Sequence, residues 1–272
     1  LGNRDPKLTV NRPLAAYLEA KQELGINGRP VLLGLFTLLK LSKGETAGEV
    51  ETWTRKLLPL YVQVLRELKA AGADWVQIDE PAIVVSLSEE DVHRLRLIYQ
   101  AIAQEVPGLR LMLQTYFDAV ERYEDLIELP VHGLGLDFVH GRDGNLEALR
   151  RYGFPAGKTI GAGLIDGRNI WRTDLDEALS LVKTISLQSG APDVIVQPSC
   201  SLLHVPVSAA GEERLNPVLR DALAFAEQKL EELVSLSRAA NGEEPEPVQF
   251  AENRRALAAL AADPARNLPF VR

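Results

Sequence analysis

The feature that most constrains the fold of this chain is the alternation of short apolar, β-rich runs with longer amphipathic stretches. The pattern predicts strands over 30–36, 75–81, 110–117, 134–139, 159–165 and 194–197. It predicts helices over 49–71, from near Ser88 to beyond 102, and over 119–128, 145–152, 175–187 and 212–238. Ser88 and Asp91 resemble a capping box at the start of the second of these helices. We therefore predict six βα units and an α/β fold.

Parallel strands joined by helices form either an open doubly wound sheet or a closed barrel, and six units lie between the usual sizes of the two. A Rossmann fold is disfavoured because no Gly-x-Gly-x-x-Gly opens a predicted helix; Gly161 and Gly163 lie inside a strand-like run. Polar residues instead recur where strands end, as at Asp79, Asp137 and Asp166. This recurrence favours a (β/α)8 TIM-barrel type, incomplete at the N-terminus by about two units.

The composition excludes several classes of function. A net charge of −8 and a pI near 5.2 disfavour nucleic-acid and anionic-membrane surfaces, because both need clustered Lys and Arg. A single cysteine excludes an internal disulfide and a thiolate-rich metal cluster. No apolar run approaches the roughly 20 residues of a bilayer span, and the first residues show no basic segment followed by an apolar core, so we expect no secretory leader. We expect a cytoplasmic protein with a small-molecule or protein partner.

Two strand-end segments carry candidate site residues. Asp79 and Glu80 end the second predicted strand, and because side chains alternate in direction, one of them should face the barrel mouth. That acid could bind an amino group, orient a histidine or act as a general base; equally, it could cap a loop or pair with an arginine. Asp166, Arg168 and Trp171 share a later loop that could hold a carboxylated or aromatic ligand. We favour the simpler interpretation, an Asp166–Arg168 ion pair with Trp171 packed on a helix.

The sixth predicted strand is followed by the only cysteine, Cys200, and by His204 four residues later. Thiolate and imidazole are zinc ligands, and a neighbouring base can activate a thiol. The spacing is not specific, however, and His93, His132 and His140 add no recognised ligand pattern. We expect a buried structural cysteine and a hydrogen-bonded histidine rather than a metal site, with His93 on a helix surface.

The C-terminal part has a different composition. Residues 241–247 are rich in Glu and Pro and predict a solvated linker, followed by a helix over 250–262 and an extended tail. We therefore expect a barrel domain over 1–240 and a linker with a C-terminal helical extension over 241–272.

Five segments stand out along the chain: 11–20 (NRPLAAYLEA), 75–82 (WVQIDEPA), 166–171 (DGRNIW), 198–206 (PSCSLLHVP) and 225–233 (FAEQKLEEL). Together, and in this order, they resemble the N-terminal half of one family, the cobalamin-independent methionine synthases. The resemblance implies two fused (β/α)8 barrels with the active site between them. It also implies methyl transfer from 5-methyltetrahydrofolate polyglutamate to homocysteine, giving methionine. One departure is Gly-Leu-Phe-Thr at 34–37, where the family usually has Gly-Pro-Val-Thr-Phe.

The resemblance also implies what this chain lacks. The family's zinc ligands, its histidine proton donor and most homocysteine contacts lie in the C-terminal barrel. The N-terminal segments that contact the folate polyglutamate should precede the first residue, in agreement with the count of about two absent units. We therefore expect no catalytic residue, no metal ligand and no cofactor bound by this chain alone, with zinc in the complete enzyme. We expect five residues to face either the folate or the catalytic barrel: Asp79, Glu80, Asp166, Arg168 and Trp171.

The resulting hypothesis is an incomplete part of a methyltransferase that is inactive alone, helps to enclose folate and needs a C-terminal catalytic barrel in cis or in trans. The alternative is a noncatalytic scaffold or binding module that pairs in trans with a separately encoded zinc-bearing barrel, which predicts activity only on mixing. A self-sufficient barrel enzyme, using the strand-end carboxylates, would instead turn over without a partner.

Overall fold

A computed structural model describes residues 5–43, 49–243 and 247–264. Within these residues, six strands form one parallel sheet, in which each strand pairs with the next along the chain. The strands are β1 (Val31–Leu33), β2 (Trp75–Asp79), β3 (Arg110–Gln114), β4 (Gly133–Asp137), β5 (Thr159–Ile165) and β6 (Val194–Pro198). A doubly wound sheet reverses its strand order at a switch point, and this sheet does not. The α/β fold of TIM-barrel type with six βα units is therefore confirmed, with β1 and β6 as the two edges of an unclosed wall.

One helix precedes the first strand, and the others lie between and after the strands. In the described residues they are α1 (Arg12–Glu23), α2 (Leu35–Lys40), α3 (Val50–Ala70), α4 (Glu89–Glu105), α5 (Tyr123–Ile127), α6 (Arg142–Tyr152), α7 (Leu175–Ser189), α8 (Pro217–Asp221), α9 (Ala226–Ala240) and α10 (Pro247–Ala262). The capping box predicted at Ser88 is present, with Asp91 as its partner. His93 is exposed on α4, as predicted. No described helix combines the length and the apolar character needed to cross a bilayer.

The two faces of the sheet differ in chemistry. Residues paired across parallel strands project to the same face. One row across the outer face is aliphatic and consists of Leu32, Ile78, Leu113, Leu134, Ile160 and Val194. It packs into the main hydrophobic core. The adjacent row on the inner face consists of Leu33, Asp79, Gln114, Gly135, Gly161 and Ile195. Burial against helices therefore stabilises the outer face, while the inner face is largely polar or glycine.

The inner glycines make room for two buried glutamines. A Cβ on Gly135 would lie 1.7 Å from Oε1 of Gln114, and one on Gly161 would lie 2.9 Å from Oε1 of Gln197. The space admits a hydrogen bond of 2.5 Å from Nε2 of Gln197 to Oε1 of Gln114. Gln114 in turn donates to the Thr115 carbonyl at 2.8 Å. A polar layer therefore lies directly beneath the carboxyl ends of the strands.

The predictions for 30–36 and 119–128 are wrong in part. β1 ends at Leu33, and α2 begins at Leu35 because a buried carboxylate binds the N–H groups of Phe36 and Thr37. Only α5 forms within 119–128; Ala119 and Val120 lie outside it, and their N–H groups donate to the side chains of Asp118 and Asn145. These side chains satisfy the amides outside a helix.

The single helix predicted over 212–238 is also wrong. Asn216 caps α8, which starts at Pro217, and the chain then extends before α9. The extended part pairs with the loop after β5: Arg172 N–H donates to the Ala222 carbonyl at 2.9 Å, and Ala224 N–H donates to the Ile170 carbonyl at 2.8 Å. These long-range bonds compete with the local helix pattern.

The C-terminal helix α10 packs against α7 and α8. Phe250, Asn253, Ala256 and Leu260 form its buried face, at the spacing of an amphipathic helix. Residues 244–246 of the expected linker and the expected tail from 265 onward lie outside the described residues. The division into a barrel over 1–240 and an extension over 241–272 stays a prediction.

Candidate functional site

The carboxyl ends of β2 to β5 bring polar and aromatic side chains into one continuous surface. We call this the strand-end surface and define it as Asp79, Tyr116, Phe117, His140, Asp166, Arg168 and Trp171. Two of its sequence-predicted members, Asp79 and Arg168, are linked through the edge-to-face ring pair of Tyr116 and Phe117. It lies where barrel folds build active sites.

Asp79 is the strand-end acid that faces the inside of the wall. Gln77 Nε2 donates to its Oδ1 at 2.7 Å, and the Tyr116 hydroxyl donates to its Oδ2 at 3.4 Å. Burial raises the pKa of Asp79, and the hydrogen bonds from Gln77 and Tyr116, with the charge of Arg29, oppose that rise. The side chain is only half-buried, so it can accept a hydrogen bond from a ligand.

Glu80 points the other way, toward the helices, as strand alternation requires. It is completely buried, and its carboxylate accepts the Phe36 and Thr37 N–H groups at 3.2 and 2.7 Å and the Tyr99 hydroxyl at 3.1 Å. Burial raises its pKa to about 7 despite these donors. Gly34 leaves space for the carboxylate, since a Cβ there would lie 1.9 Å from Cδ of Glu80. Glu80 therefore fixes the start of α2 and lies beneath the strand-end surface rather than on it.

Asp137 organises the centre of the surface. It is fully buried and accepts the N–H groups of Val139 and His140, both at 2.8 Å, on Oδ1. Its Oδ2 accepts the Phe117 N–H at 2.9 Å and lies 3.1 Å from Nδ1 of His140. Nε2 of His140 lies 3.8 Å from Oδ2 of Asp166, so the histidine ring bridges the ends of β4 and β5.

Phe117 has a left-handed backbone conformation, with φ of 87°, which is strained for a bulky residue. The hydrogen bond to Asp137 holds it in this conformation. The ring is thereby set against Tyr116 at 4.6 Å between centroids and edge-on to His204 at 6.2 Å. The Arg168 guanidinium lies over the same ring, 4.8 Å from its centroid. The unusual backbone conformation of Phe117 thus places its ring beside Tyr116 and beneath the Arg168 guanidinium, where a cation–π contact forms.

The loop after β5 is ordered by its own side chains. Oδ1 of Asp166 accepts the Arg168 N–H at 2.8 Å, and Oδ2 accepts Nδ2 of Asn169 at 2.6 Å. Asn169 Oδ1 accepts the Trp171 N–H at 3.0 Å. The expected Asp166–Arg168 ion pair is therefore wrong, because the carboxylate binds the backbone while the guanidinium lies over Phe117. Trp171 is 38% exposed and borders a cleft of about 200 Å³.

Cys200 and His204 do not form a site together. Cys200 is buried, as expected, and a Cβ on Gly167 would lie 2.9 Å from its Sγ. Burial raises the pKa of the thiol to about 11, so the free thiol is protonated at neutral pH and is a poor nucleophile. His204 is exposed, and its ring contacts Phe117, so the expectation of a hydrogen-bonded histidine is wrong.

Three buried polar residues near the loop were not predicted. Lys229 and Glu232 on α9 and Asn253 on α10 are 0%, 4% and 1% exposed. Lys229 and Glu232 lie within the segment 225–233, whose charges are typical of a solvated helix. Their burial follows from chain segments that are distant in sequence, so no local pattern reveals it.

A family model described as "Cobalamin-independent synthase, N-terminal domain" matches residues 2–190 of the chain. The 5-methyltetrahydropteroyltriglutamate–homocysteine methyltransferase of Bacillus cereus (strain G9842) is 57% identical over 233 residues, covering 85% of this chain and 30% of that protein. The protein of the same name from Bacillus thuringiensis (strain Al Hakam) is 56% identical with the same coverage. The chain thus spans about a third of the length of the curated relatives it matches.

Solved structures share the fold at low sequence identity. A B12-independent methionine synthase from Shewanella sp. W3-18-1 has a TM-score of 0.59 and 16% identity, over 84% of this chain and 67% of that one. A methyltransferase from Methanosarcina mazei has a TM-score of 0.60 and 14% identity, over 88% and 68%. At this identity, the likeness shows the fold alone.

Proposed function

Because this chain belongs to the cobalamin-independent methionine synthase family, whose N-terminal domain it matches over residues 2–190, we propose that it supplies the N-terminal barrel of a methyltransferase. The complete enzyme would move a methyl group from 5-methyltetrahydropteroyltriglutamate to homocysteine. The observation that carries the proposal is the 57% identity to a Bacillus cereus relative of that name, over 85% of this chain. This barrel would enclose the folate and brace a C-terminal catalytic barrel, joined to it in cis or in trans.

The strand-end surface is the part of the barrel suited to this role. Arg168 is exposed and held over Phe117, and in the described residues it forms no ion pair with a carboxylate. Such a guanidinium can make paired hydrogen bonds to the carboxylates of a polyglutamate tail. Asp79 and Asp166 offer acceptor oxygens for ligand N–H groups, and Trp171 offers a flat apolar face. Each of these four residues was a candidate from the sequence.

Zinc in the complete enzyme would be held elsewhere. The Cys200 thiol is protonated and buried, and His204 lies exposed against Phe117. Within 5–43, 49–243 and 247–264, no three His, Cys, Asp or Glu side chains converge as metal ligands. The described residues do not bring together a set of zinc ligands, so the proposal assigns them only binding and positioning, and no chemical step.

A chimera tests the proposal directly. In the chimera, the full 272-residue sequence replaces the part of the Bacillus cereus relative that aligns with it. Methionine formation from homocysteine and the triglutamate folate is then measured. We expect kcat within about tenfold of the parent enzyme, because the two sequences are 57% identical over this part. A chimera that folds and binds zinc but forms no methionine would refute the proposal.

The role of Arg168 is tested in the same chimera. Arg168→Ala should raise the KM for the triglutamate folate by about tenfold and leave kcat unchanged, the effect of losing one charge-assisted contact. The matched control is Arg142→Ala, which removes a nearby guanidinium that is paired with Glu177. Equal KM values for the Arg168 variant and the control would exclude Arg168 from folate binding.

A further inference from the structure

The backbone that joins the β5 loop to α7 is held by side chains from the two C-terminal helices. Lys229 Nζ donates to the Trp171 carbonyl at 3.0 Å. The Thr173 N–H lies 3.2 and 3.3 Å from the two carboxylate oxygens of Glu232. Side chains of α9 thus bind the main chain on both sides of residue 172.

Asn253 on α10 continues this set of contacts. Its Nδ2 donates to the Thr173 carbonyl at 2.8 Å, and its Oδ1 accepts the Leu175 N–H at 3.3 Å. The amide therefore binds the carbonyl of Thr173 and the N–H of the first residue of α7, two positions apart along the chain. The opposite side of the segment pairs with Ala222 and Ala224.

Burial makes these contacts expensive to form and expensive to break. Burying an ammonium or a carboxylate costs several kcal/mol unless its hydrogen bonds are satisfied. Lys229 and Glu232 do not form a salt bridge with each other among the described residues; each binds the loop main chain instead. Apolar residues at these positions would pack at lower cost but would leave the loop main chain without partners. The buried charges therefore act on the loop rather than on the core.

We infer that Lys229, Glu232 and Asn253 are positioning residues that fix the main chain of residues 171–175, where the 166–171 loop joins α7, so that α9 and α10 set the place of Trp171 on the strand-end surface. We call the three residues the loop anchor. The C-terminal extension thereby has a function within the barrel. The consequence for folate binding rests on the proposed function; the consequence for the loop does not.

Hydrogen exchange in the 272-residue chain tests the anchor. Asn253→Leu keeps the number and branching of the side-chain heavy atoms but removes both hydrogen bonds, and we expect amide exchange in a peptide covering 170–176 to become about tenfold faster. Asn253→Asp keeps the acceptor for the Leu175 N–H but places a carboxylate oxygen against the Thr173 carbonyl, so it should loosen the loop at least as much as Asn253→Leu. The matched control is Arg254→Ala on the same helix, which removes the exposed ion pair to Asp176 and should leave the loop unchanged.

The double variant Lys229→Met/Glu232→Leu guards against a folding defect in the Asn253 variants. It removes both charges together, so no buried charge is left unpaired, and loop exchange should again rise about tenfold while β3 and β4 stay protected. Unchanged loop exchange in the Asn253→Leu chain and in the double variant would overturn the inference. A uniform rise throughout the chain would also overturn it, because it would show a merely structural role.

The functional consequence is read in the chimera. Asn253→Leu should raise the KM for the triglutamate folate several-fold with kcat unchanged, and Arg254→Ala should change neither. Faster loop exchange without a KM change would refute the role of the anchor in placing substrate-binding side chains. Failure of the proposed function looks different: the chimera without further substitution would be inactive, while the exchange results would still decide whether the anchor fixes the loop.

Discussion

Glu80 should give the protein a dependence of stability on pH that one substitution removes. Its pKa is raised from 4.5 to about 7 in the folded chain, chiefly by burial. The folded protein therefore keeps this proton up to about pH 7, whereas the unfolded chain releases it near 4.5. As pH rises through this window, ionisation favours the unfolded chain, and stability present below pH 4.5 is lost. Glu80→Gln is uncharged throughout and should not show the loss.

The size of the effect follows from the two pKa values. Between about pH 5.5 and about pH 8, this one group should lower the free energy of unfolding of the parent protein by about 2 kcal/mol relative to Glu80→Gln. Taking the difference between parent and variant cancels the titration of every other group, including Glu232, whose pKa burial also raises to about 7. The whole pH range lies above the pI near 5.2, so the net charge of the protein stays negative throughout the measurement.

The assay is urea unfolding followed by tryptophan fluorescence at several pH values, analysed as a two-state transition. The control is Glu147→Gln, which neutralises an exposed carboxylate beside Arg150 and should give no comparable slope. The reasoning would be refuted if the free energies of unfolding of the parent and of Glu80→Gln differed by the same amount at every pH in the range. A difference of opposite sign would show that the two N–H groups and the Tyr99 hydroxyl outweigh burial and keep the carboxylate ionised.

Two further predictions concern the packing around Gly34 and the burial of Cys200. Gly34→Ala should lower the free energy of unfolding by about 3 kcal/mol, because the new Cβ would meet Cδ of Glu80 at 1.9 Å; Gly28→Ala, with no atom within 4 Å, is the control. A thermal shift of Gly34→Ala no larger than that of the control would contradict this. The Cys200 thiol should react with a disulfide reagent at neutral pH only on unfolding, because it is buried and its pKa is raised to about 11. Rapid stoichiometric labelling of the native protein would contradict that expectation.

The parts of the fold that depend on local periodicity were predictable from the sequence. On α4, the spacing of Val92, Leu95 and Ile98 marks the buried face, and the cap at Ser88 marks its start. The predictions failed where a distant group decides the local structure. Residues 35–37 continue an apolar run in the sequence, but Glu80, more than 40 positions away, binds two of their N–H groups and turns the run into a helix.

The candidate site divides along the same line. Asp79, Asp166 and Arg168 could be proposed because parallel strands end at one edge of a sheet. The conformation of Phe117 could not, because it depends on a hydrogen bond to Asp137 on the next strand. The burial of Lys229 was equally hidden, since helix periodicity gives no sign of the loop carbonyl that it binds.

The inner face of the sheet explains why polar side chains also lie beneath the strand-end surface. Gln77 orients Asp79 from two residues below it on the same strand. The buried bond between Gln197 and Gln114 exists only because glycine faces each of these glutamines. An aliphatic residue at either glycine would displace a glutamine and leave buried amide groups without partners, at a cost of about 1–3 kcal/mol each. The glycines of β4 and β5 therefore support the polar layer on which the candidate ligand-binding side chains stand.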